Sequence, residues 1–69
     1  MTLEQIWKKH GVGTVFFETS WPNFTYIITG RWKYGILFKT QNYTPIRRIA
    51  FNDTYDYYSV KSVRPQKHR

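Results

Sequence analysis

The chain has 69 residues, with 11 Lys plus Arg against 4 Asp plus Glu, giving a formal charge of +7. A length of this order admits one domain, which buries only about 60% of the surface its unfolded chain exposes. The absence of cysteine excludes a disulfide scaffold, a thiolate zinc site and a cysteine nucleophile.

Aromatic side chains make up 20% of the sequence, and in a core this small they must supply most of the buried area. The N-terminal segment holds no apolar run of the kind that directs secretion. Together with the missing cysteines this sets the expectation of a cytoplasmic protein, with no membrane partner. The Asn-x-Thr triplets at Asn23, Asn42 and Asn52 are accordingly read as turn chemistry.

Thr2 is placed to cap a helix, and Gln5 three positions later completes a capping box. Leu3, Ile6, Trp7 and His10 follow at helical spacing, and Gly11 supplies the stop. A helix of about eight residues is too short to stand alone. It must dock through Leu3, Ile6 and Trp7, plugging one end of the fold or covering one face.

The rest reads as strands. Thr14 to Thr19 is β-branched and aromatic, and Ser20-Trp21-Pro22-Asn23 closes it. In Phe24 to Thr29 the alternating residues are Phe24, Tyr26 and Ile28, and Gly30 marks a turn. Arg31 to Thr40 alternates throughout: Trp32, Tyr34, Ile36 and Phe38 point to the core, while Arg31, Lys33, Gly35, Leu37 and Lys39 point out. Gln41-Asn42 turns the chain into Ile46 to Phe51, and Asn52-Asp53 turns it into Tyr55 to Val63. In that last strand Tyr58 and Val60 face inward, with Tyr55, Tyr57 and Lys61 outward.

The expected fold is α+β and β-rich. A short N-terminal helix precedes about five short antiparallel strands, forming a meander or a small SH3-like or OB-like barrel whose closure removes exposed edges. Residues 1–63 form the single domain, and 64–69 form a basic tail carrying Arg64, Lys67 and Arg69.

Little in the chain speaks for catalysis. His10 and His68 are the only imidazoles, and the serines at 20, 59 and 62 lack a nucleophile elbow. The carboxylates Glu4, Glu18, Asp53 and Asp56 are scattered, with no metal-ligand cluster. Gly11-Val12-Gly13 follows a helix and lacks a third glycine, so it is no phosphate loop. Neither an enzyme nor a cofactor is expected.

The distribution of cations carries more information. Arg31, Lys33 and Lys39 fall on the outward side of one strand, and the adjacent Arg47 and Arg48 place at least one cation outward in any register. Lys61, Tyr55 and Tyr57 fall on the outward side of the last strand. On one sheet, these eight residues would form a face suited to nucleic acid, DNA or RNA. Cations contact phosphates while Tyr55 and Tyr57 stack on bases, and Gly35 lets a backbone or base come close. The same composition describes a rival function, a small adaptor or inhibitor of an acidic protein partner, anchored by Trp21, Tyr43 and an exposed strand edge.

Overall fold

The computed structural model of the chain describes residues 1–40, 45–53 and 58–63. Helix α1 spans Leu3–His10 and is closed at both ends by the expected residues. The Thr2 hydroxyl oxygen accepts from the Gln5 amide at 3.1 Å, and the Gln5 side chain accepts from the Thr2 amide at 2.9 Å. Two N–H groups without helical partners are thereby satisfied. Gly11 ends the helix at φ +76°, a left-handed value that costs glycine nothing.

Five strands follow: β1 (Thr14–Glu18), β2 (Tyr26–Trp32), β3 (Gly35–Thr40), β4 (Arg47–Ala50) and β5 (Tyr58–Val63). A short 3₁₀ turn, Phe51–Asp53, follows β4. All pairings are antiparallel, in the order β4-β3-β2-β1-β5. The first four strands form a meander, β5 returns to the far side of β1, and the sheet is open with β4 and β5 as edges. In a flat sheet these edges would lie four strand spacings of about 4.8 Å apart. Here Arg47 and Ile49 of β4 line the same cleft as Tyr58 of β5, so the sheet is strongly curled.

The helix fills the inside of the curl. Leu3, Ile6, Phe16, Ile28, Ile36 and Tyr58 form the buried cluster, with Trp7, Tyr26, Phe38, Ile49, Phe51 and Val60 packed around it. Phe16 is the hub: its ring centroid lies 5.5 Å from Tyr26, 5.9 Å from Tyr58 and 6.3 Å from Phe38. Contacts of this geometry add about 0.5–1.5 kcal/mol each beyond the area they bury. Residue 1 is tied in as well: the Met1 nitrogen donates to the Tyr58 carbonyl at 2.9 Å, and the Tyr58 amide donates back to the Met1 carbonyl at 3.0 Å.

The structure redraws the middle of the chain. Gly30 is not a turn, and Arg31 to Thr40 is not one strand. β2 continues through Gly30 to Trp32, and the chain reverses at Lys33-Tyr34. The register passes from Ile28 opposite Phe38 to Gly30 opposite Leu37, which leaves Thr29 without a partner. Such a bulge shifts the inward–outward alternation of everything after it by one position. Phe24, expected in the second strand, lies before β2 and is 55% exposed. A second bulge, in β5, leaves Lys61 unpaired between Val60 and Ser62.

The bulge residue is also energetically odd. The Thr29 hydroxyl is buried and has no hydrogen-bond partner among the described residues. A buried polar atom left unpaired costs about 1–3 kcal/mol. Thr29→Val keeps the shape and removes that atom, so it is expected to raise the thermal midpoint of the protein. A clear fall, measured by circular dichroism, would mean that the hydroxyl is satisfied after all.

Candidate nucleic-acid interface

The bulge at Thr29 places Arg31 opposite Ile36, whose side chain is fully buried, on the helix side of the sheet. Arg31 therefore does not share a face with Lys39. Its guanidinium lies 5.1 Å from the Phe51 ring centroid and 6.0 Å from that of Trp7. Nη1 donates to the carbonyls of Trp32 and Gly35, the latter at 3.0 Å. Arg31 thus clamps the β2–β3 hairpin from the helix side of the sheet while its side chain stays exposed to solvent.

Trp32, by the same shift, stands on the outer face, where periodicity had assigned it to the core. It pairs with Gly35, which in turn pairs with Ala50 of β4. The Trp32 indole donates from Nε1 to the Ile49 carbonyl at 3.2 Å. The glycine between them is required: a Cβ there would run into that same carbonyl and stand 2.8 Å from the Cα of Ala50. The space expected to admit a base over Gly35 is therefore filled by the protein's own β4 backbone.

Tyr34, also expected inside, is 58% exposed at the tip of the hairpin. Its ring meets Trp32 edge-on at 5.4 Å. Lys33, in the turn itself, holds its ammonium 5.3 Å from the Tyr34 ring, and the Arg48 guanidinium lies 4.6 Å from the Trp32 ring. The tip is not loose, because the Phe51 amide donates to the Tyr34 carbonyl at 2.9 Å. Two rings and Lys33 are thereby held on a hairpin braced by four hydrogen bonds from Arg31, Trp32 and Phe51, with Arg48 of the neighbouring β4 beside them.

The remaining expected residues divide between the faces. Lys39 pairs with Ile27 on the outer face, and lies diagonal to Arg48 because Leu37 opposes Arg48. Arg47 opposes Phe38 and so belongs to the inner face, at the exposed edge of the sheet. Lys61 is exposed on β5, the opposite edge strand from β4, and is not gathered with the others. Tyr55 and Tyr57 lie outside the described residues, as do Tyr43 and the tail 64–69. Among the described residues, Lys33, Lys39, Arg47 and Arg48 form no ion pair; Lys8 and Glu4 do, at 3.5 Å on the helix surface.

The rings among the cations are therefore Trp32 and Tyr34. One signal for them was present in the sequence: Gly35 stands where a tight turn centred on Lys33-Tyr34 favours glycine, at its fourth position. Among the described residues no group of three or more His, Cys, Asp or Glu is placed to hold a metal ion. No described helix is long and apolar enough to cross a membrane. Comparison with protein-family models, with curated proteins and with solved structures found no match.

Gly35→Ala is expected to separate β3 from β4 and lower stability by roughly 3 kcal/mol or more, the range of large steric defects. Arg31→Ala should cost less, about 1–2 kcal/mol, through the lost clamp on two carbonyls. Chemical denaturation checks both; a Gly35→Ala protein as stable as the parent would contradict the close approach of these strands.

Proposed function

We propose that the chain is a small nucleic-acid-binding module that holds single strands on the β2–β3 hairpin and the neighbouring edge strand β4. The reading is carried by one observation: an exposed Tyr34 set edge-on against Trp32, with Lys33 and Arg48 beside the two rings on a braced hairpin. Base–aromatic stacking contributes about 1–3 kcal/mol per base and requires bases free of a duplex. Lys33, Lys39 and Arg48 contact phosphates along the outer face, and Arg47 continues the cationic track round the edge. The scaffold is a small barrel-like fold of the SH3 or OB kind, a form whose surfaces suit single strands. Its function is binding, with no catalysis and no cofactor, and its proposed location is the cytoplasm.

A second reading has its own support. Trp21 and Phe24 are 59% and 55% exposed, with ring centroids 6.2 Å apart in the β1–β2 connection. Such a pair is the kind of anchor a protein partner would bury, as in an adaptor or an inhibitor of an acidic protein.

Titration of a labelled single strand at several salt concentrations separates the two. With four cations on phosphates, log affinity should fall against log salt with a slope of about −3. Tyr34→Ala should weaken single-strand binding by about 1–3 kcal/mol and lower the thermal midpoint only slightly, through the lost edge-on contact with Trp32, whereas Trp21→Ala should leave binding unaffected. Absence of binding at low salt, or an equal loss on duplex and single strand, would contradict the proposal.

A further inference from the structure

The inner face of the sheet carries a second feature that the hairpin does not use. A partly enclosed cleft of about 260 Å³ opens beside β4, lined by Phe16, Tyr26, Phe38 and Tyr58, with Glu18 and Arg47 among its walls. Tyr26 and Phe38 are only half-buried, and their rings meet edge-on at 5.5 Å, so ring surface is left towards the cleft. Glu18 pairs with Tyr58 across β1–β5, and Arg47 pairs with Phe38 across β3–β4, so both charged residues stand on the cleft side.

The chemistry of these walls narrows the occupant. The volume lies just below the range of about 300–1,000 Å³ that holds drug-sized ligands, which suits one ring system. An aromatic lining favours a planar ring. A purely apolar ring would leave the Glu18 carboxylate without a donor. A cationic ligand would meet Arg47 and the +7 charge of the chain, and a bare anion would meet Glu18. A neutral planar ring that carries N–H donors on one edge and is joined to a phosphate satisfies every wall.

We propose that this cleft takes one unpaired nucleobase bearing an exocyclic amino group, with Glu18 accepting from that group and Arg47 holding the adjoining phosphate. The inference rests on the nucleic-acid reading above and deepens it. β4 is the shared element: Arg47 and Arg48 both line the cleft, and the Arg48 guanidinium also lies 4.6 Å from the Trp32 ring of the hairpin cluster. A strand stacked on Tyr34 can pass round that edge and set a base into the cleft. Glu18 makes the site selective. Cytosine presents an amino donor that a carboxylate accepts, whereas thymine offers one N–H between two carbonyl oxygens, which the carboxylate repels.

The test compares oligo(dC) with oligo(dT) of equal length at one salt concentration, which holds ring size and backbone charge constant. Oligo(dC) should bind roughly tenfold more tightly, within the discrimination expected of a good carboxylate–amino contact. Glu18→Gln should bring the two affinities together, weakening oligo(dC) and strengthening oligo(dT) binding because the repulsion between the carboxylate and the thymine carbonyls is gone, with the thermal midpoint unchanged. As a check that needs no variant, cytidine monophosphate should shift the ring-proton resonances of Tyr26 and Phe38 in the parent protein, and thymidine monophosphate should not. Equal binding of both oligonucleotides would overturn the cleft assignment and leave the hairpin reading standing. A preference that survives Glu18→Gln would overturn it too, and failure of both to bind would remove both readings together.

Discussion

A single unpaired residue in β2, Thr29, sets which side of the sheet each following side chain takes. Without the bulge, Arg31 would face solvent and Trp32 would face the helix, because side chains alternate along a strand. With it, Arg31 stands on the helix side of the sheet, near the Trp7 and Phe51 rings yet still exposed, and Trp32 emerges on the outer face. The next constraint follows directly, since an outward Trp32 must cross Gly35 to reach the Ile49 carbonyl. Bulge, tryptophan and glycine therefore act together, and they fix both the register of β3 against β4 and the position of Arg48.

This arrangement concentrates chemistry at one edge of the sheet. β4 is short and exposed, its outer side has no strand partner among the described residues, and two adjacent arginines open it. Exposed cations on an edge discourage pairing with another sheet, so the same residues that keep the edge from aggregating supply its positive field. The opposite edge is different in character: β5 carries Lys61 on a bulge and is tied to residue 1 through two backbone hydrogen bonds. Among the described residues the cations of the strands and the hairpin turn are therefore unevenly spread, with Lys33, Lys39, Arg47 and Arg48 on the β2–β4 side. The hairpin rings are braced before any ligand arrives, which limits the ordering cost of binding.

How much of this was legible in the sequence depends on whether the governing interaction is local. The helix was readable to its last residue because the capping box and the terminal glycine act within one turn of chain. β1 was readable from its β-branched and aromatic residues and β4 from the turn residues around it, and the inward Tyr58 and Val60 followed from alternation. The β2–β3 hairpin did not. Its turn, Lys33-Tyr34, contains neither glycine nor asparagine, and Arg31 through Phe38 alternates as smoothly as a continuous strand. The apparent turn at Gly30 belongs instead to the bulge, where Gly30 lies 3.4 Å from Leu37 through the position a Cβ would occupy. A bulge is a two-strand property, visible only once the partner is known, so Trp32 and Tyr34 were assigned to the core, and the place of the exposed Arg31 on the helix side was not foreseen. Lys33, Lys39, Arg47 and Arg48 were readable as candidates, but their association with Trp32 and Tyr34 was not.

The most direct measurement is an amide-resonance titration of the isotopically labelled protein with a short single-stranded oligonucleotide. Perturbations should cluster at residues 32–35 and 47–49 and extend to the cleft residues Glu18, Tyr26 and Phe38, with little change at Trp21, Phe24 or Lys61. Shifts confined to the β1–β2 connection or to β5, with the hairpin and β4 silent, would contradict the assignment of the interface.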